Sequence, residues 1–191
     1  VLTTSAWTAE LGKPVGDVKL TGIDGKSTTL AAYKGKTVVA VFLSFECPVS
    51  NSYAPVLNEM AKKYAEKNVA FLALAPTQED AATLAKYVKE FELAFPLYQD
   101  DRLNVAKALG AKKVPEAFVL DHNSVMRYRG RIDNTYQTRT KRNPAVTDHD
   151  LKNAVEEVLA GKDVSVPATI ALGCHVLPND VTRQPDAAGT Y

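Results

Sequence analysis

The chain has 191 residues, 46% hydrophobic and 24% charged, with 23 Lys and Arg against 22 Asp and Glu for a formal net charge of +1. That is one domain's worth of ordinary globular composition, and a near-neutral chain without a basic run lacks the electrostatic footprint of a nucleic-acid binder. No stretch approaches the ~18 apolar residues of a membrane span, and the two cysteines (Cys47, Cys174) and three histidines (His122, His149, His175) have no zinc-finger spacing.

The chain begins Val1-Leu2-Thr3-Thr4-Ser5 without an initiator Met. A clipped targeting sequence leaves such a start, so an exported protein, periplasmic or extracytoplasmic, is the expectation. Residues 1–16 read as an extended lead-in. Asp17 to Ile23 and Ser27 to Leu30 flank Asp24-Gly25 and read as a β-hairpin. Thr37 to Phe45 is a continuous apolar, β-branched run, the pattern of a central strand buried on both faces. Pro48 to Lys67 carries apolar residues at helical spacing, with Pro55 expected to kink it. Val69 to Leu74 is a second buried strand. A helix is expected over Thr77 to Phe91 with Thr77 as its cap, and a shorter one over Asp101 to Leu109, ending at Gly110. Ala117 to Leu120 and Val125 to Tyr128 read as a hairpin around Asp121-His122-Asn123-Ser124, which leaves His122 solvated.

Asn134 to Pro144 is polar and basic and reads as a solvated loop. Thr147-Asp148-His149-Asp150 precedes a helix over Leu151 to Leu159 that ends at Gly161. Lys162 to Val176 reads as an extended arm carrying Cys174, and Leu177 to Tyr191 as loosely held. Strand–helix–strand alternation implies a parallel core, to which the later hairpin adds antiparallel strands.

Cys47 sits where the first buried strand hands over to a helix, with Pro48 suited to the first helical position. Free N–H groups and the helix dipole there stabilise thiolate over thiol, which makes Cys47 a candidate nucleophile rather than an inert buried thiol. An ionised Glu46 next to it would work the other way.

Four segments carry a family resemblance: Gly12-Lys13-Pro14-Val15-Gly16 through Asp24-Gly25 and Leu30 to Gly35; VVAVFLSFECPVSNSYAPVLNEMAKKY; GAKKVPEAFVLD from Gly110 to Asp121; and VMRYRGRID from Val125 to Asp133. Over residues 10–133 the chain resembles thioredoxin-fold proteins of the redoxin, alkyl-hydroperoxide-reductase and TlpA-like superfamily. The resemblance implies an α/β thioredoxin-like fold: a central mixed sheet flanked by helices, an N-terminal β-hairpin, and a C-terminal helix and arm. Residues 1–133 would form the redoxin domain with its lead-in. Residues 134–191 would supply a loop, a helix and the cysteine-bearing arm packed on the same domain. The ending Val166-Pro167-Ala168-Thr169 to Gly173-Cys174 is similar to a peroxiredoxin-like subgroup whose members end in a Gly-Cys arm.

The resemblance implies a thiol–disulfide oxidoreductase with Cys47 as the attacking sulfur. It would use no cofactor or metal, and its partners would be a disulfide-bearing or thiol protein, or a peroxide, together with a reductase. Ser50 stands where thioredoxins carry their second cysteine, so the motif is Cys-x-x-Ser. A mixed disulfide needs a second thiol for its resolution, and Cys174 is then a possible resolving partner. A permanent Cys47–Cys174 structural disulfide, and two thiols that never meet, stay open beside it. Val114-Pro115 resembles the cis-proline loop of the fold, whose edge pairs with extended substrate peptide; Pro48, Ser50 and Glu46 complete the expected substrate surface. Glu46 could also accept a proton near the thiol.

Two alternatives remain. A thiol peroxidase would pass through a sulfenic acid on Cys47. However, aligning Cys47 with the peroxidatic position puts Ala40 where that motif has Pro and Ser44 where it has Thr. A non-catalytic or metal-handling module would gather Cys47, Cys174 and His175 around a soft metal, without the Cys-x-x-x-Cys pair of copper chaperones of this fold. Arg127, Arg129 and Arg131 alternate along one strand face, which reads as solvated or anion-binding.

Overall fold

A computed structural model describes residues 9–176. The expectations for the extreme N-terminus and for residues 177–191 fall outside them. Seven strands form one mixed sheet: β1 (Lys19–Gly22), β2 (Ser27–Thr29), β3 (Thr37–Phe42), β4 (Val69–Ala75), β5 (Leu97–Gln99), β7 (Glu116–Leu120) and β8 (Met126–Gly130), in the order β2-β1-β5-β4-β3-β7-β8. The two-residue β6 (Lys113–Val114) belongs to a separate small sheet.

Every residue of β3 is buried, as its unbroken apolar pattern requires of a strand covered on both faces. Parallel pairing of β3 with β4 and of β4 with β5 needs crossover connections. Helices α1 (Pro48–Ser52) and α2 (Ala54–Tyr64) provide the first, and α3 (Ala81–Glu90) the second. After α4 (Asn104–Leu109) the chain returns through β7 and β8, both antiparallel to their neighbours. α2 buries Leu57, Met60 and Tyr64, and α5 (Asp150–Leu159) buries Leu151, Ala154 and Val155 against the same core. Phe42 and Phe118 meet edge to face across β3 and β7 at 5.7 Å.

Several expectations are corrected. The helix over 48–67 is two helices meeting at Tyr53, because Pro55 in the first turn of α2 has no N–H to continue the ladder. α3 is capped by Asp80, whose Oδ1 accepts the Thr83 N–H at 2.7 Å, so Thr77 lies outside the helix. β5 has only three residues, too few to show a period in sequence. The expected loop at 134–144 contains a small hairpin, β9 (Tyr136–Thr138) with β10 (Lys141–Arg142), with the Arg142 guanidinium over the Tyr136 ring. The three alternating arginines are half-buried and each holds a carboxylate: Arg127 pairs with Asp121 and Asp163, Arg129 with Glu116, and Arg131 with Asp148 and Asp150.

After α5 the arm lies along β8. The Arg129 N–H donates to the Pro167 carbonyl, the Thr169 N–H donates to the Arg129 carbonyl, and the Arg131 N–H donates to Thr169 Oγ1. Gly130, at φ +144°, makes this approach possible, since a Cβ there would overlap Thr169 Oγ1 and its backbone. The arm ends as β11 (Cys174–His175), antiparallel to β6, with Cys174 opposite Val114 and His175 opposite Lys113.

Leu57, fully buried on α2, sets the scale of the core. Leu57→Ala is expected to lower unfolding free energy by about 2–5 kcal/mol in denaturant titrations. Val166→Ala, at a half-exposed arm position, should stay within about 0.5 kcal/mol. Equal effects would contradict the placement of the core.

Candidate active site

Beyond β3, residues 43–46 turn the chain into α1, and Cys47 caps that helix with extended backbone while Pro48 takes the first helical position. Side chains of α1 fix the turn from inside. Ser50 Oγ accepts the Ser44 N–H at 3.0 Å, and Asn51 Nδ2 donates to the Phe45 carbonyl at 2.7 Å. Phe45 stacks on Tyr87 and Phe91 of the α3 region, 4.7 and 5.6 Å between ring centres. The turn is therefore a packed element, and Cys47 is held in it with 1% of its surface exposed. Tyr53, at the α1–α2 junction, donates its hydroxyl to Asp133 Oδ1 at 2.7 Å, and burial raises the Tyr53 pKa.

The opposite wall is the loop that carries β6 into β7. The Val114–Pro115 peptide is cis, and the Cys47 thiol donates to the Val114 carbonyl at 3.4 Å. Glu116, buried although charged, accepts the Lys112 and Lys113 N–H groups on Oε2 at 2.7 and 3.0 Å. Its other oxygen lies 3.5 Å from Arg129 Nη2. One carboxylate thus satisfies two loop amides and fixes the backbone that faces the sulfur.

The arm closes the site. Cys174 stands opposite Val114 in the β6–β11 pair, and its Sγ is 2.7 Å from Cys47 Sγ. The two thiols are electrostatically unequal. The hydrogen bond from the Cys174 thiol is the largest influence on Cys47 and lowers its pKa to about 6, with burial opposing it. The N–H groups of Ser50, Cys174 and Val49 add to the lowering. Cys174 is shifted upward, chiefly by the hydrogen bond it gives to Cys47, then by burial and by the charge of Cys47, while Arg139 and Lys113 draw it down. Cys47 therefore ionises first, with the Cys174 proton pointing at it.

The structure brings Cys47, Cys174, Val114 and Pro115 together. Pro48 is exposed beside them. Ser50, expected at the substrate surface, is instead buried, its hydroxyl engaged in the turn. Glu46, considered as a proton acceptor for the thiol, is exposed, and its charge acts on Tyr87. His175, considered as a metal ligand, turns its ring to Lys113 Nζ, 2.7 Å from Nε2. Among the described residues no three His, Cys, Asp or Glu side chains are grouped to hold a metal. Sequence reasoning missed Glu116 and Gly130, and it named Gly173 only as part of the Gly-Cys ending. A carboxylate in the otherwise apolar run PEAFVL is the one visible signal for Glu116.

Residues 11–129 match the AhpC/TSA family model. The chain is similar to the thiol-disulfide oxidoreductase ResA of Bacillus thuringiensis subsp. konkukian, 32% identical over 112 residues that cover 59% of this chain and 64% of the relative. It thus spans slightly less than two thirds of the length of that curated protein. Among solved structures, a hypothetical protein of Sinorhizobium meliloti 1021 superposes with a TM-score of 0.80 at 28% identity, covering 91% of this chain and 97% of that one. The pneumococcal exposed lipoprotein thioredoxin of Streptococcus pneumoniae superposes at 0.57 with 20% identity over 76% of this chain and 99% of that one, a likeness of fold.

Replacing the Cys174 thiol isolates its effect on Cys47. Thiolate absorbance of Cys174→Ser should rise with pH through a lower midpoint than that of Cys174→Ala, because the serine hydroxyl still donates to Cys47 and alanine cannot. Coincident titrations would remove the arm's donor from the account.

Proposed function

Because the chain belongs to the AhpC/TSA family, we propose that it is a thiol–disulfide oxidoreductase with Cys47 as nucleophile and Cys174 as resolving cysteine. The observation that supports this most directly is the 2.7 Å approach of the two sulfurs on an arm paired to the Val114 edge. The similarity to ResA, named a thiol-disulfide oxidoreductase, agrees with it.

In the proposed cycle the Cys47 thiolate attacks one sulfur of a partner's disulfide. The Cys47–partner bond forms, the partner's S–S bond breaks, and the departing sulfur leaves as thiolate and takes up a proton. Charge on Cys47 disappears at this step. The hydrogen bond and the negative charge that held Cys174 protonated are then gone, while the positive charges of Arg139 and Lys113 remain. Cys174 becomes easier to ionise once there is a mixed disulfide for it to attack. Its sulfur displaces the partner's second thiolate from Cys47, leaving a Cys47–Cys174 disulfide and a partner with two thiols. Ser50 fills the place of a neighbouring second thiol and cannot resolve the intermediate, so resolution falls to the arm. A separate thiol reductant resets the pair. An oxidising, extracytoplasmic compartment suits such a disulfide between turnovers.

Turnover of a disulfide substrate under a thiol reductant tests this reading. Cys47→Ser is expected to abolish turnover, and Cys174→Ser to accumulate a Cys47–substrate mixed disulfide, seen as a mass increment. Full turnover in Cys174→Ser would overturn the resolving role. Consumption of hydrogen peroxide far faster than of disulfide would move the assignment to a peroxidase.

A further inference from the structure

The arm is seated by a fit that no side chain would allow. A Cβ built on Gly173 overlaps the Val114 carbonyl oxygen and lies 2.8 Å from its carbon and 3.0 Å from Pro115 Cδ. Gly173 is not among the positive-φ glycines, so space and not backbone conformation excludes a side chain there. The wall it meets is main chain, which cannot swing aside as a surface side chain can. The Glu116 carboxylate fixes the preceding amides, Val114 is 2% exposed, and its carbonyl oxygen faces Cys47 Sγ. The residue after the cysteine, His175, is exposed and imposes no comparable limit.

Resting on the exchange reading above, we propose that the Val114–Pro115 edge reads the residue preceding the cysteine it receives, and that the polypeptide segment engaged by Cys47 carries Gly-Cys in extended conformation. The chain's own Gly173-Cys174 is the internal example of that sequence. A partner strand in the same register meets the same carbonyl at the same distance, so any larger residue before its cysteine forces the strand off the edge and its sulfur away from Cys47. Partner and arm compete for one edge. The partner displaces the arm, Cys47 forms its disulfide with the partner's cysteine as the departing thiolate leaves, and the arm returns to resolve it.

The test uses full-length Gly173→Ala/Cys174→Ser, in which the arm's seat is weakened and the mixed disulfide cannot be resolved. Two extended peptides, identical except for Gly-Cys or Ala-Cys and each bearing the same small-thiol disulfide, are offered, and mass spectrometry follows Cys47–peptide formation. The Gly-Cys peptide is expected to react at least about tenfold faster. The single variant Cys174→Ser, with the arm's own glycine intact, should give lower rates with the same ratio, which covers a folding failure of the double variant. Equal rates for the two peptides would overturn the proposal. If both peptides fail while hydroxyethyl disulfide still reacts with Cys47, the edge is not a polypeptide site and the proposal falls while the exchange reading stands. If hydroxyethyl disulfide also fails in Cys174→Ser, both fall.

Discussion

The pairing of the two-residue β11 with the two-residue β6 is the constraint on which the rest of the site depends. Two short strands gain little from their own ladder, so what holds them is the ground on either side. Upstream, the arm is bound to β8 through Pro167 and Thr169, over a glycine that lets the backbones touch. Downstream, the Val176 N–H donates to the Lys112 carbonyl. Between these anchors Gly173 lies against the Val114 carbonyl and Cys174 reaches the sulfur of Cys47. Two glycines, one on the sheet and one on the arm, set the distance at which the thiols meet.

That distance produces the electrostatic asymmetry. A thiol donating to a neighbouring sulfur favours the thiolate on the acceptor and penalises ionisation of the donor. The same contact therefore activates Cys47 and restrains Cys174. In a Cys-x-x-Cys protein one short helix carries both partners of such a contact. Here the helix carries one, and Ser50 in the other place is spent on the turn. The second thiol stands 127 positions away in sequence, on the arm.

Much of the scaffold is legible in the residues. The apolar run of β3 and the Cys-Pro step after it place Cys47 at the strand-to-helix junction, and the hairpin of β7 and β8 follows from turn residues between apolar runs. The arm was readable as extended, and Cys174 as a candidate partner, from the resemblance and the count of cysteines. The seating was not legible. Gly173 and Gly130 are positions where a neighbour distant in sequence fills the space of a Cβ, and no local pattern records that neighbour. Glu116 leaves little mark in the sequence because its partners are backbone amides, and β5 leaves none because three residues show no period. Ser50 lies in the buried turn and not on the expected substrate surface, because a hydroxyl at a helix start accepts from a nearby backbone N–H.

The most direct measurement is mass mapping of thiols and disulfides in the native protein, equilibrated across glutathione redox poises. The account predicts one Cys47–Cys174 disulfide that forms and opens between about −200 and −300 mV, within reach of biological thiols. Two thiols that never pair under oxidising conditions would contradict it. So would a bond that stays closed well below about −300 mV, since a permanently tethered arm could neither yield the edge nor resolve an intermediate.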